Sequence, residues 1–341
     1  MIEAGVGIDA IGVASPVGFG WLGACAAMRA GINRKSLSPY RDNQGREIVA
    51  SYLAEDHVSR QASCEERWSF LLADALAQVA TGADGVQELA RARLYLALPF
   101  APDDRPQLPT FVSAALSARL GVAIAPERLR LATGASPAGF AALRAAQSEA
   151  SGGDVTIVAA ADSLVSARRL LPLATANRLL VEGNSDGFIP GEAAVALRLS
   201  RGRPGSIAEV GGIGLAEEQA TLENDLALRA DGLVKAVGAA LTEAQLSLEE
   251  LDFRLSDASG ESFFFKEQAL LLARLMGQPK KTFPLWLSAD PLGHTGAAAG
   301  LCGIAWACAA WQRDYAPGPR ALVTASSDTG ERGAVILQRG S

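Results

Sequence analysis

The run Gly293-His294-Thr295-Gly296-Ala297-Ala298-Ala299-Gly300 constrains the fold more than any other part of the chain. The five residues from Gly296 to Gly300 are all Gly or Ala. A helix made of them has almost no side-chain bulk, so its backbone can lie close against other backbone. That suits a helix buried between two layers, and Leu301-Cys302-Gly303-Ile304-Ala305-Trp306 extends it with the same apolar character. Thr295 is placed as its N-cap, and His294 sits at its mouth, where backbone N–H groups and the positive dipole end gather. A histidine there has two readings, a group that does chemistry or a hydrogen-bonded core residue.

A second stretch repeats the pattern. A short strand at 129–132 leads into the turn Thr133-Gly134-Ala135-Ser136-Pro137. Ser136 suits an N-cap and Pro137 a first helical position, so a small-residue helix is expected from Pro137 to about Ala150. Gly152-Gly153-Asp154 ends it, and the continuous apolar run 155–161 reads as a buried strand. Two small-residue helices, each after a strand and a sharp turn, indicate an internally duplicated α/β chain. Arg201-Gly202-Arg203-Pro204-Gly205 reads as the linker, giving halves 1–202 and 203–341.

The remaining pattern fills in each half. Strands are expected at 6–14 and 93–98, and helices at 21–28, 68–79 and 110–120, with a loop-rich excursion over 42–66 and a Pro-studded loop over 99–109. A turn at Asp186-Gly187-Phe188-Ile189-Pro190-Gly191-Glu192-Ala193 precedes a strand at 194–199. The second half reads as a strand at 206–210, a helix over about 226–244 weakened by Gly232, and a strand at 253–256.

Charge and cysteine usage exclude several classes. A net charge of -6 argues against a nucleic-acid partner, which needs a basic face. No run is long and apolar enough to span a bilayer, and the first residues lack a charged segment followed by an apolar one, so a cytoplasmic protein without membrane contact is expected. Cys25, Cys64, Cys302 and Cys308 show neither a disulfide framework nor paired metal spacing. Two histidines and scattered carboxylates give no metal set, and no cofactor is implied.

Taken in order, the motifs resemble those of the β-ketoacyl synthases of the thiolase superfamily, over nearly the whole chain. Gly293-His294-Thr295 before a Gly/Ala helix is similar to the family's Gly-His-Thr signature, and Asp186-Gly187-Phe188 with Gly191-Glu192 to its Asp-Gly-Phe and Gly-Glu segment. Residues 233–259 are similar to the helix and strand leading to the Asn-Ala-His-Gly-Thr-Gly-Thr loop, and the turn at Gly134 to the nucleophile region. The resemblance implies a five-layered αβαβα thiolase-like fold built from two pseudo-repeated halves. It also implies a dimer in which the strand at 155–161 pairs across the two-fold axis.

In that family a helix-terminal cysteine takes the acyl group, and two histidines stabilise the oxyanion formed on decarboxylation. Here Gly134 stands at the nucleophile position, Ser259 at the first histidine and Ala289 at the lysine five residues before His294. The terminal loop 326–333, which includes Thr329, lacks the family's phenylalanine. Only His294 survives, and groups that act as a unit fail as a unit.

A non-catalytic ketosynthase-like protein, or pseudoenzyme, acting through binding or assembly is the reading these losses favour. Its partner would be an active ketosynthase, as for a chain-length factor, a second copy in a homodimer, or a bacterial secreted effector of a type VI secretion-like system served as adaptor or chaperone. Whether an acyl ligand or an acyl carrier protein still binds is left open by the sequence. The alternative is an acyl hydrolase or acyltransferase using a rebuilt Ser259-His294 pair, with Asp257 or Asp290 orienting the imidazole. Phe263-Phe264-Phe265 stands where the family loop is small and polar. These rings have two readings, a plug or partner-facing patch and ordinary packing in a helix's first turn.

Overall fold

The computed structural model describes residues 6–100, 107–149, 155–201 and 205–340. In the first half β1 (Val6–Ser15) folds back on β2 (Gly18–Phe19), followed by α1 (Trp21–Arg29), the hairpin β3 (Lys35–Arg41) and β4 (Glu47–Ser51), and α2 (Cys64–Val79). Then come β5 (Arg93–Leu98), α3 (Leu108–Leu120), β6 (Leu129–Thr133), α4 (Ala138–Glu149), β7 (Thr156–Ser163), α5 (Ala167–Thr175) and β8 (Glu192–Arg201). The second half runs β9 (Ala208–Glu217), α6 (Asp231–Ala244), β10 (Phe253–Ser256), α7 (Ser262–Leu275) and β11 (Leu285–Leu287). It ends with α8 (Ala289–Leu292), α9 (Ala299–Gln312), β12 (Arg320–Ser326) and β13 (Glu331–Arg339).

The duplication is written in the sheet. The strand order is β11-β10-β12-β13-β9-β1-β8-β7-β5-β6, so β6-β5-β7-β8-β1 of the first half matches β11-β10-β12-β13-β9 of the second, strand for strand. Parallel and antiparallel pairings match as well: β5 is parallel to β6 and β7, β10 to β11 and β12, and the remaining pairs in each half are antiparallel. The halves join where Val6, Gly7 and Ile8 meet Val210, Glu209 and Ala208.

Alternation along the strands builds the layers. In β5, Tyr95 and Ala97 face a core shared with α4 and α9, whereas Leu94, Leu96 and Leu98 face α2 and α3. In β13, Val335 and Leu337 face the same inner core, and Ala334 and Ile336 face α6 and α7. The result is helix, sheet, helix, sheet, helix. The middle layer depends on missing side chains: a Cβ on Gly139 of α4 would lie 2.9 Å from Leu301, and one on Gly300 of α9 would lie 2.8 Å from the Phe140 ring.

Several local expectations change. The 42–66 excursion contains β4, which buries only Ile48, Ala50 and Ser51 and is held by pairing with β3, a contact that local periodicity does not report. Helix α6 starts only at Asp231, because the Glu218 carboxylate at the end of β9 accepts the Gly232 N–H (2.8 Å) and fixes the first turn there. Thr295 stands at the N-cap position, but its side chain makes no capping hydrogen bond. A 3-10 turn over Gly296–Ala298 precedes α9, and Asp162 of β7 caps it instead by accepting the Ala297 N–H at 3.0 Å. Ser136 likewise does not cap α4, which begins at Ala138; its buried hydroxyl reaches no hydrogen-bond geometry, although it lies against Asp257.

One expectation about assembly is overturned. Strand β7 is bonded on both sides, to β5 and to β8, and therefore has no edge to offer a partner. The free edge of the first half is β6, the strand before the first central helix rather than after it. The proposed linker residues 202–204, the helix-ending residues 152–154 and residues 101–106 of the Pro-studded loop lie outside the described residues.

Because α4 and α9 touch through glycines, Gly300→Val is expected to destabilise the chain by about 1–3 kcal/mol through overpacking against Phe140 and the Ser136 carbonyl. Chemical denaturation measures this; an unchanged midpoint would show that the two helices can move apart.

Candidate functional site

Two distant motifs are stitched together around His294. Its N–H donates to the Ile189 carbonyl (2.7 Å), and the Gly191 N–H donates to the His294 carbonyl (2.9 Å). The approach is possible because residue 191 is glycine: a Cβ there would fall 2.0 Å from the Leu292 carbonyl oxygen. The next residue, Glu192, is wholly buried and satisfied. It accepts from Arg67 Nη1 (2.9 and 3.1 Å), the Leu53 N–H (2.8 Å) and Ser163 Oγ (2.8 Å). Removing either partner of such an ion pair leaves an uncompensated buried charge.

The imidazole itself is isolated. Its ring packs edge-on against Phe188 with centroids 4.9 Å apart, and Nδ1 is buried with no hydrogen-bond partner. Burial pushes its pKa down to about 4, with Asp328 opposing and the Arg178 and Arg169 charges adding to the fall. At neutral pH this histidine is uncharged.

Beside it stands a cluster the sequence did not suggest. Arg178 pairs with Glu261 through Nε and through Nη2 (2.7 Å), and with Asp328 through Nη1 (2.8 Å) and Nη2 (3.0 Å). Its guanidinium carbon lies 5.4 Å from the Phe188 ring centroid. Burial opposes the charge on Arg178, but its two carboxylate partners raise its pKa above the ordinary value. Burial works against ionisation of Asp328 too, yet Arg178 holds that carboxyl below its usual range. For Glu261 burial prevails over Arg178 and the pKa rises. Nearby, Asp186 accepts the Ser262 N–H (2.6 Å) and hydroxyl (3.0 Å), tying the Asp-Gly-Phe turn to the start of α7.

No protein-family model and no curated protein sequence matches the chain. Solved structures do match. The oxazolomycin ketosynthase domain OzmH KS7 of Streptomyces albus aligns with a TM-score of 0.76 at 15% identity, covering 99% of this chain and 75% of that one. A chain from the complex of the ketosynthase ApeO with its chain length factor ApeC, from Xenorhabdus doucetiae, gives 0.76 at 17%, covering 99% and 98%. A chain from AntDE:AntF, a type II PKS acyl-carrier protein in complex with its ketosynthase, gives 0.78 at 16%, covering 99% and 100%. The chain has the ketosynthase fold.

Within the ketosynthase fold the remaining candidate positions can be placed. Gly134 lies in the turn after β6 at φ 143, where L side chains are strained, although a Cβ there would meet only Ala138 at 3.8 Å. It borders a cavity of about 330 Å³ shared with Pro137, Ala138, Leu215 and Arg332. Ser259 is half-buried and makes no hydrogen bond to His294, so the rebuilt Ser-His pair is not formed. Asp257 is turned away too, accepting the Ser326 N–H at 2.9 Å, and Asp290 lines a different cavity with Trp286 and Tyr315.

Ala289 is buried at the start of α8. Thr329 sits in the turn between β12 and β13 and donates to Glu331 at 2.5 Å. Of the three phenylalanines, all in the first turn of α7, Phe264 is buried, Phe263 is half-buried with its ring 5.3 Å from that of Phe264, and Phe265 is exposed. The packing reading holds for Phe264.

Two pH dependences follow. The folded state holds His294 at about 4 against 6.5 when free, so its contribution is present above 6.5 and lost as pH falls toward 4. The melting temperature of His294→Asn relative to the parent is therefore expected to be more favourable at pH 4.5 than at pH 7.5. Burial pushes the Asp257 carboxyl up to about 7, against the Ser326 N–H, Ser136 and Arg332. Its contribution is complete below about 4 and is lost as pH rises through about 7. Asp257→Asn should gain on the parent between about pH 5 and pH 8, and a flat difference would show that the carboxyl ionises normally.

Proposed function

We propose that this chain is a non-catalytic ketosynthase-fold protein that works by pairing with another protein, an active ketosynthase-fold chain. The observation that carries the reading is Gly134. The position that would bear the acyl-accepting thiolate has no side chain, and its backbone is at φ 143. The conformation, more than the available space, resists restoring a nucleophile there. The other groups agree with this. His294 is neutral and without a partner at Nδ1, and Arg178, Glu261 and Asp328 form a closed ion cluster beside it.

A fixed ion cluster whose members satisfy one another supplies no free acid, base or oxyanion donor, and that supports binding over turnover. The free edge of β6 runs directly into Gly134 and offers unpaired backbone groups to an adjoining strand. The ApeO and ApeC chains form a complex in Xenorhabdus doucetiae, and this chain matches one of them over nearly its full length. Pairing of that kind is the reading we favour for the present protein.

The purified chain incubated with acyl thioesters is expected to show no mass increase by intact-protein mass spectrometry. A covalent adduct abolished by a single substitution would overturn the non-catalytic reading. Affinity capture from the native cell is expected to recover a ketosynthase-fold chain in equal amount; recovery of a secreted effector in its place would overturn the choice of partner. Gly134→Ala should lower stability by about 1–3 kcal/mol through backbone strain, read from denaturant midpoints.

A further inference from the structure

The internal repeat leaves two free strand edges. β6 ends the sheet on the side of the first half, and β11 holds the matching place on the side of the second. Strand β11 pairs with β10, and among the described residues no backbone group of Leu285, Trp286 or Leu287 bonds on its outer side. All three residues are half-buried. Such an edge offers its outward N–H and C=O groups to another strand, whose side chains then fall alternately on the two faces of the sheet.

The two faces beside β11 differ. Trp286 stands opposite Leu255 and faces the middle layer, where it walls a cavity of about 450 Å³ with Met28, Trp306 and Tyr315. Its ring lies 5.3 Å from that of Trp306 and 6.0 Å from that of Tyr315. Leu285 stands opposite Arg254 and faces the other way. There two cations flank one ring: the Arg254 guanidinium carbon is 5.5 Å, and the Lys280 ammonium 4.9 Å, from the Phe283 centroid. Arg254 has no carboxylate partner among the described residues, and burial holds its pKa below the ordinary value. Lys280 donates to main-chain carbonyls at Glu249 (2.8 Å) and Leu251, and the Glu249 carboxylate is turned to the Gln278 N–H (3.2 Å). Lys281 is exposed beside them.

These positive groups, in a chain of net charge -6, decide what the edge can accept. A second copy adding its own β11 would bring the same cations onto the same face, where like charges repel. A strand with carboxylates on that face is attracted instead.

We propose that β11 is a docking edge for an extended acidic segment of a partner protein, added as a further strand. Its acidic side chains point toward Arg254 and Lys280, with Lys281 beside them. The residues between are apolar and point to the cleft, where an aromatic ring lies against Trp286. This interface is separate from the pairing at β6 and does not depend on it.

The test uses the full chain and a fluorescein-labelled heptapeptide, Asp-Val-Glu-Phe-Glu-Val-Asp, read by anisotropy. Saturable one-to-one binding with Kd below about 100 μM is expected at low salt, weakening as salt is added. The same peptide with lysine at each acidic position, and one of identical composition with its acidic residues clustered at one end, should each bind about tenfold more weakly. Lys281→Glu, an exposed change that should leave the melting curve alone, is expected to weaken binding about threefold. Amide hydrogen exchange of residues 285–287 should slow in the complex. Absence of saturable binding, equal affinity for either control peptide, an unchanged affinity in Lys281→Glu, or unprotected amides at 285–287 would each overturn the proposal. Self-association of the chain that protects the same amides without peptide would overturn the choice of occupant.

Discussion

The close approach of α4 and α9 is the constraint on which the rest of the molecule depends. Gly139 against Leu301 and Gly300 against Phe140 let two helices share one thin layer, and both sheets close on that layer from either side. With bulkier residues the sheets would stand farther apart, and the inward residues of β5, β7, β12 and β13 would lose their common core. The thin middle layer also sets where the loops meet. The turn at Gly134 and the mouth of α9 at His294 stand at the starts of these two touching helices.

That placement separates the groups that hold the backbone from the side chains around His294. Glu192, Arg67 and Ser163 hold the backbone beneath His294, and Asp162 caps the turn that leads into α9. These groups are buried and joined by hydrogen bonds. Above them Arg178, Glu261 and Asp328 satisfy one another. Arg178 and Glu261 are largely buried, so removing either would leave the other's charge poorly compensated. Charges that hold one another in this way make a poor proton relay.

The small residues from Gly296 to Gly300, the strands read at 93–98 and 253–256 and the duplicated rhythm made the architecture legible, because burial between layers imposes composition and period directly on neighbouring residues. Gly134, Ser259 and Ala289 could be named because the motifs around them are contiguous. Side-chain capping was not legible: Asp162, far along the chain, caps the turn at Thr295, and the Ser136 hydroxyl is buried without a hydrogen-bond partner.

The sequence by itself determined the layered α/β fold, the internal repeat and the absence of a side chain at Gly134. Only the tertiary structure decided that β6 rather than β7 is the free edge, that Ser259 does not reach His294, and that Arg178 joins Glu261 and Asp328. The physical reason is separation along the chain. Arg178 lies 83 and 150 residues from its two partners, and strand order depends on which edges remain after every other strand has paired. Neither kind of relation leaves a local period or a contiguous motif to read.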